Sequence, residues 1–251
     1  MSACGSGPVA VRTESEFEQA ARASVTILPR ETHIRSLFNQ QSLVTPNASL
    51  EALGLECIRG NRLLFSDLNL SLQSGQILHV EGPNGSGKTS LLRILCGLSA
   101  PAQGEVRWQG QAIHKVRTAF LSEVAYIGHN HGVKGDLTPL ENLQIARSLG
   151  RPNVKITLDE ALERVGLGDF YDLPTRTLSA GQRRRVALSR LLVTQAQLWV
   201  LDEPLAALDI KGTGLVEAML AEHLLHGGMV VVTTHHPLLV EHGQMTRLSL
   251  S

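Results

Sequence analysis

The stretch EGPNGSGKTS, residues Glu81–Ser90, decides the fold of this 251-residue chain. Glycine and asparagine crowd in front of a lysine and a threonine, a composition that suits neither a strand nor a helix interior. The letters match the pattern G-x-x-x-x-G-K-[ST], in which Gly82 is the first position and Thr89 the last. The apolar run QILHVEG leads into the pattern, and TSLLRILCGL continues from it with helical spacing. We therefore predict a phosphate-binding loop between a strand and a helix that begins near Lys88.

A loop of this type binds phosphate mainly through its backbone. Glycines allow successive N–H groups to point inward, and the N-terminus of the following helix faces the same anion. Lys88 is expected to contact the β- and γ-phosphates, and the Thr89 hydroxyl is expected to bind Mg²⁺. The loop therefore predicts binding of a nucleoside triphosphate. The nucleotide-binding residues predicted in it are Gly82, Pro83, Asn84, Gly85, Ser86, Gly87, Lys88, Thr89 and Ser90.

A second motif, LWVLDEP, supplies the acidic residues that hydrolysis of such a ligand needs. Its apolar residues predict a buried strand, and Asp202 stands where that strand ends. A carboxylate at this point fits an Mg²⁺-organising role, usually exerted through water. Glu203 follows directly and is placed to polarise an attacking water molecule. We therefore assign Asp202 to the metal and Glu203 to the chemistry.

The composition excludes several classes of protein. Charged residues make up 18% of the chain and the formal net charge is zero, which argues against a nucleic-acid binder. The three cysteines form no C-x-x-C pair, so neither a zinc knuckle nor a redox dithiol is predicted. No run approaches the roughly 18 apolar residues of a membrane-spanning helix, and no secretory signal is evident. We expect a cytoplasmic protein whose contact with a membrane comes through a partner.

Three further motifs point to one family. LSAGQ spans Leu178–Gln182, ALD spans Ala207–Asp209, and His235 ends VVTTH. With the two motifs above, and in this order and spacing, they make residues 50–251 resemble the ABC-transporter ATPases. The resemblance implies an α/β P-loop NTPase fold of ABC type. Such a fold has a mainly parallel sheet core, an antiparallel β subdomain and a helical subdomain.

The resemblance also implies how ATP is held and hydrolysed. In this family two ATPase domains pair head to tail, so a homodimer is implied. Ser179 and Gly181 of one copy would contact the γ-phosphate held by Lys88 of the other. His235 would hold the γ-phosphate and position Glu203 with its water, which makes Glu203, His235 and Lys88 the implied catalytic residues. The implied nucleotide-binding set outside the loop also includes Gln182 and Asp209.

Three positions depart from the family's pattern, one of which is Ala180 in the signature, where glycine is commoner. The family usually has a glutamine after the strand that follows the phosphate-loop helix, and AYIGHNHG puts His129 there. A neutral imidazole can still contact Mg²⁺ or water, but its charge depends on pH. The family usually stacks adenine on an aromatic residue, and CIRGNRLLF puts Arg59 there. A guanidinium plane can also stack on a base, so Arg59 is expected to bind the nucleotide with weaker selectivity. Both His129 and Arg59 therefore stay in the predicted nucleotide-binding set.

The run AYIGHNHGVKGDLTPLENL resembles the ATP-binding subunits of exporters used in cytochrome c maturation. This implies a peripheral ATPase at the cytoplasmic face of the bacterial inner membrane, bound to an integral membrane permease subunit. Its hydrolysis of ATP would free a haem-loaded periplasmic chaperone. Two other functions stay open. One is the ATPase of another small-substrate transporter, and the other is a soluble ABC ATPase that acts in repair or translation.

The motifs also divide the chain. Residues 1–48 carry none of them and are interpreted as an N-terminal extension, either a flexible tail or a segment upstream of the actual start. Residues 49–251 form the predicted ATPase domain, with a helical subdomain at about residues 130–185. Apolar patterns predict its strands and helices, among them a helix LTPLENLQIARSLG with Pro139 in its first turn and a helix GQRRRVALSRLLVTQ. The charge run Arg183–Arg185 is interpreted as a solvated helix face, with added positive potential beside the phosphate site as the alternative. Surface or phosphate-site roles, with no metal or haem site, are assigned to three histidine pairs: His129 with His131, His223 with His226, and His235 with His236.

Overall fold

The computed structural model describes residues 49–240 and 243–251, so the extension predicted for residues 1–48 lies outside the described residues. In chain order the strands are β1 (Ser49–Arg59), β2 (Arg62–Gln73), β3 (Gln76–Glu81), β4 (Gln103–Trp108), β5 (Gln111–Ala112), β6 (Val124–Ile127), β7 (Leu198–Asp202), β8 (Met229–Thr233) and β9 (Gln244–Ser249). The helices are α1 (Lys88–Leu95), α2 (Arg117–Ser122), α3 (Pro139–Leu149), α4 (Leu158–Arg164), α5 (Ala180–Ser189) and α6 (Ile210–Leu225).

The first sheet is antiparallel, as predicted, and its strand order is β2-β1-β4-β5. Strand β2 buries Phe65, Leu68 and Leu72. The interval of three residues between Phe65 and Leu68 interrupts strict alternation, because a β-bulge at Asp67 (φ 48°) inserts an extra residue. The Asn69 side-chain amide donates to the Asp67 carbonyl at 3.0 Å. The bulge therefore keeps the apolar side chains of β2 on the core side.

The second sheet is parallel throughout the described residues, with the order β6-β7-β8-β3-β9. This confirms the mainly parallel core. Strands β7 and β8 are buried at every position, as expected for strands covered on both faces. Because β3, β8 and β7 are neighbours that run in one direction, their carboxyl ends carry Glu81, Thr233 and Asp202 to the same edge. The nucleotide motifs of the sequence meet at this edge.

The parallel sheet separates two hydrophobic cores. One contains the antiparallel sheet, α1 and residues such as Val200, and in it the rings of Trp108 and Phe120 lie 5.5 Å apart at a 56° tilt. The other contains the apolar sides of α4, α5 and α6 together with Leu201 and Trp199. Alternation along β7 therefore sends neighbouring side chains into different cores.

Helices α3, α4 and α5 belong to the predicted helical part. Each begins with a capping box, in which the first side chain, from Thr138, Thr157 or Ser179, accepts a backbone N–H three residues later. Pro139 takes the first helical position of α3, as predicted. Helix α5 ends at Ser189, although its apolar spacing predicted continuation through LLVTQ. Among the helices that the structure describes, none is long and apolar enough to cross a membrane.

Candidate nucleotide-binding site

The glycine loop joins β3 to α1, where the sequence predicted it. Gly87 is the N-cap residue of α1 with φ 102°, and no side chain caps the helix there. The first-turn N–H groups of α1 therefore suit phosphate oxygens. The Lys88 ammonium group donates to the carbonyls of Gly82 at 2.6 Å and Pro83 at 3.1 Å. The Ser86 hydroxyl is buried and makes no hydrogen bond within the described residues, which suits a loop built to bind an anion.

Glycine is required at position 82 because there is no room for a side chain and because the backbone conformation favours glycine. Its φ is 147°, and an added Cβ would lie 2.3 Å from the Leu250 carbonyl oxygen and 2.7 Å from the Ser86 hydroxyl. Both distances are shorter than any normal contact. A side chain at this position would therefore displace the turn that leads into the loop.

Asp202 is fixed by two hydroxyl groups at the end of β7. The Thr89 hydroxyl donates to Oδ2 at 2.8 Å, and the Thr233 hydroxyl donates to Oδ1 at 2.7 Å. Asp202 is 3% exposed, so its carboxylate is held rigidly beside the loop. Oxygen ligands from Thr89 and Asp202 match the preference of Mg²⁺. Sequence reasoning missed Thr233, although its place at the end of the apolar run MVVVT was visible.

Glu203 lies one residue beyond β7 in a left-handed backbone conformation, with φ 53°. Its N–H donates to the carbonyl and the hydroxyl oxygen of Thr233, both at 3.0 Å. Its carboxylate Oε1 lies 3.3 Å from His235 Nε2. The structure therefore brings together the two residues that the family resemblance paired for hydrolysis.

His129 is exposed in the segment after β6 and lines a cavity of about 520 Å³ together with Glu203 and His131. Arg184 Nη1 donates to His131 Nδ1 at 2.9 Å. Burial lowers the pKa of His131, and the charges of Arg184 and Arg183 lower it further. His131 is therefore held in its neutral form at the back of this cavity.

The prediction of a solvated arginine run is wrong for Arg184, which is 1% exposed. Its guanidinium donates to the carbonyls of Gly128, Asp202, Glu203 and Pro204, so its polar groups are satisfied inside the protein. Burial lowers its pKa to about 10, which leaves it charged at neutral pH. The neighbouring arginines bind other carbonyls: Arg183 that of Leu178, and Arg185 those of Val165 and Gly166.

The signature stretch forms the N-terminus of α5. The Ser179 hydroxyl accepts the Gln182 N–H at 3.2 Å, and Gln182 Oε1 accepts the Ser179 N–H at 2.8 Å. An added Cβ on Gly181 would lie 2.7 Å from the Ala207 carbonyl oxygen, so this glycine is required within its own chain. Asp209 caps α6 by accepting the Gly212 N–H at 2.7 Å.

Arg59, at the end of β1, lies beside the phosphate loop. Its Nε is 3.4 Å from the Ser90 hydroxyl, and its Nη2 is 3.5 Å from the Ser99 hydroxyl. Arg59, which is predicted to stack on the base, therefore lies next to α1, the helix that follows the phosphate loop.

His223 does not have the surface or phosphate-site role predicted for it. Its ring stacks on Trp199 with centroids 3.8 Å apart and planes 6° apart. His226, on the same helix, is exposed. Within the described residues no group of three or more His, Cys, Asp or Glu side chains is arranged to hold a metal ion.

Comparison with known proteins agrees with this geometry. The ABC transporter family model matches residues 65–206, which include the loop, the signature and the acidic strand. The chain belongs to the ABC transporter family. This ABC transporter ATPase therefore binds ATP and couples its hydrolysis to transport, as predicted.

Two curated relatives extend the match. The cytochrome c biogenesis ATP-binding export protein CcmA of Methylococcus capsulatus is 54% identical over 206 residues, which cover 82% of this chain and 99% of that protein. CcmA of Escherichia coli K12 is 46% identical and covers 80% of this chain and 96% of that protein. The ABC transporter ATPase is thus a member of the CcmA group. The solved dimeric structure of MJ0796, a bacterial ABC transporter cassette, has the same fold, with a TM-score of 0.67 at 24% identity over 80% of this chain and 94% of that chain.

Proposed function

We propose that this chain is the ATP-hydrolysing subunit of an exporter complex for cytochrome c biogenesis. The observation that carries the proposal is the identity of 54% with a CcmA protein over 99% of that protein's length. The phosphate loop, Asp202 and the pair of Glu203 and His235, which meet at one sheet edge, support it.

The phosphate loop and α1 bind the triphosphate of ATP. Backbone N–H groups of residues 84–90 bind the phosphates, and Lys88 turns from the loop carbonyls to the β- and γ-phosphates. Thr89 and Asp202 would hold Mg²⁺, which would neutralise phosphate charge. Arg59 would stack on the base, and His129, which lines the same cavity as Glu203, would contact the water or the metal.

Glu203 polarises the attacking water, and His235 holds both this carboxylate and the γ-phosphate. The distance of 3.3 Å between His235 Nε2 and Glu203 Oε1 supports this pairing. Thr233 aims Glu203 by binding its N–H. The proton of the water therefore has an acceptor next to the phosphate.

A second copy completes the site. Ser179 and Gly181 of one protomer, at the N-terminus of α5, face the γ-phosphate that Lys88 of the other protomer binds. Gln182 and Asp209 orient these segments through their caps. ATP joins the two protomers, and its hydrolysis separates them.

The proposed complex places residues 49–251 as an ATPase domain against an integral membrane permease. It lies at the cytoplasmic face of the bacterial inner membrane. Separation and closure of the two protomers move the permease, and this movement frees a haem-loaded chaperone. No nucleic acid takes part.

Complementation tests the proposal. Wild type and Glu203→Gln are expressed in a bacterium that lacks its own CcmA protein, and membranes are stained for covalently bound haem. We expect rescue by the wild type alone. No rescue in the native host's own deletion strain, with the protein expressed and bound to the membrane, would contradict the role in cytochrome c biogenesis.

A further inference from the structure

We propose that Arg184 is a positioning residue for hydrolysis. It fixes the turn that carries Glu203 and connects this turn to the segment that carries His129. The inference rests on the hydrolytic role proposed above for Glu203.

The turn after β7 needs to be held because Glu203 has a φ of 53°, which residues other than glycine rarely adopt. Such conformations persist where the surrounding contacts over-determine them. Thr233 binds the N–H of Glu203 from one side. From the other side Arg184 donates to three successive carbonyls, those of Asp202 at 2.8 Å, Glu203 at 2.5 Å and Pro204 at 3.1 Å.

The same guanidinium reaches the segment after β6. Its Nη1 donates to the Gly128 carbonyl at 3.0 Å and to His131 Nδ1 at 2.9 Å, on either side of His129. A guanidinium has no acceptor, so His131 Nδ1 must accept and its ring proton is on Nε2. Arg184 therefore links the segment that carries His129 to the turn that carries Glu203.

Arginine is the residue type that can do this. A guanidinium has five N–H donors in a planar fork, and Arg184 has five acceptors around it. Lysine keeps the charge but concentrates its donors on one nitrogen, and glutamine has two donors and no charge. Both replacements leave carbonyls of the turn unpaired, so the strained turn is free to relax.

The test compares Arg184→Gln and Arg184→Lys in the full-length chain, purified with its membrane partner from the native host. We expect kcat to fall by about 10- to 100-fold in Arg184→Gln, with ATP affinity within about twofold of wild type, because misplaced groups slow the chemistry. Arg184→Lys is expected to recover part of kcat. Arg185→Gln is the matched control, since Arg185 binds carbonyls away from the site, and its kcat is expected to be unchanged.

Several outcomes would overturn the inference. One is a folded Arg184→Gln with wild-type kcat, and another is a loss of ATP affinity in proportion to the loss of rate. If thermal unfolding shows that Arg184→Gln does not fold, Arg184→Lys becomes the test variant. A wild-type kcat in Arg184→Lys would then refute the positioning role of Arg184. Glu203→Gln separates the two proposals. If it hydrolyses ATP normally the proposed function fails, whereas an inactive Glu203→Gln beside a normal Arg184→Gln contradicts only the positioning role.

Discussion

At the scale of single residues, the contrast between Asp202 and Glu203 is the most informative feature. They are neighbours in the chain, but Asp202 has both carboxylate oxygens bound by threonine hydroxyls. The carboxylate of Glu203 faces His235 and the cavity. A fixed carboxylate suits a metal, and one directed toward a cavity suits a water molecule.

This contrast predicts the phenotype of Glu203→Gln. The variant should bind ATP as wild type does and lose at least about 100-fold in hydrolysis, the range that a general base supplies. Lys88→Ala should lose ATP binding, because the loop then lacks its cation. Nucleotide binding and phosphate release are measured separately. Glu222→Gln, which only loses a surface pair with Arg164, is the control, and normal hydrolysis by both site variants would refute the assignment.

Arg59 gives a prediction about nucleotide selectivity. Arg59→Ala should raise the KM for ATP several-fold, because the base loses its stacking surface. Arg59→Tyr should restore the KM for ATP and sharpen the preference for ATP over GTP. The KM values for both nucleotides are the measurement, with Arg62→Ala at the start of β2 as the control. Equal KM values in all variants would show that Arg59 does not contact the base.

Sequence reasoning reached most of these residues because the motifs fix both residue type and spacing. It missed the role of Arg184 because three arginines in a row are typical of a solvated helix face. Only the packing of α5 against the ends of β6 and β7 turns the middle one inward. Gly181 was predicted to contact the γ-phosphate. Its close approach to the Ala207 carbonyl depends on the fold and could not be predicted from the sequence.

At the scale of elements, α6 packs on β7 through the stacked rings of His223 and Trp199. His223 Nε2 lies 3.2 Å from the Gln197 carbonyl oxygen. Burial lowers the pKa of His223 to about 4. The helix is therefore anchored by a ring that is neutral at physiological pH.

This pKa predicts a loss of stability in acid. The folded pKa is below the ordinary value of about 6.5, so the stabilisation is fully present above that pH. The free energy of unfolding should fall as pH drops from about 6.5 to about 4, by at most about 1.4 kcal/mol per pH unit from this group. Denaturant unfolding at several pH values measures the slope. His223→Gln should reduce the slope, whereas His114→Gln, at an exposed histidine, should not, and equal slopes would contradict the prediction.

The local pattern predicted most strands and helices but missed β9. Its residues QMTRLS bury only Leu248 fully, so neither apolar alternation nor a buried run is visible. The strand exists because six of its residues pair with β3, which lies far away in the chain. The extent of α5 was overestimated for a related reason, since LLV after Ser189 is buried by the fold without being helical.

At the scale of the whole molecule, the proposed ATP-dependent dimer can be tested by introducing a negative charge at its interface. Glu203→Gln with ATP should elute at twice the monomer mass in size-exclusion chromatography. Adding Ser179→Asp should prevent this, because aspartate is an equally good N-cap for α5 but repels the γ-phosphate of the other protomer. ATP binding by the monomer is the control and should be unchanged. A stable dimer of the double variant would contradict the head-to-tail arrangement.

The two tryptophans of the chain lie in different cores, Trp108 with the antiparallel sheet and Trp199 with the helices. Each half of the domain therefore carries its own intrinsic fluorophore. Trp199→Phe would leave emission from Trp108 alone, and Trp108→Phe would leave emission from Trp199 beside its imidazole. The fluorescence of the two variants during denaturation would show whether the two cores unfold together or one after the other.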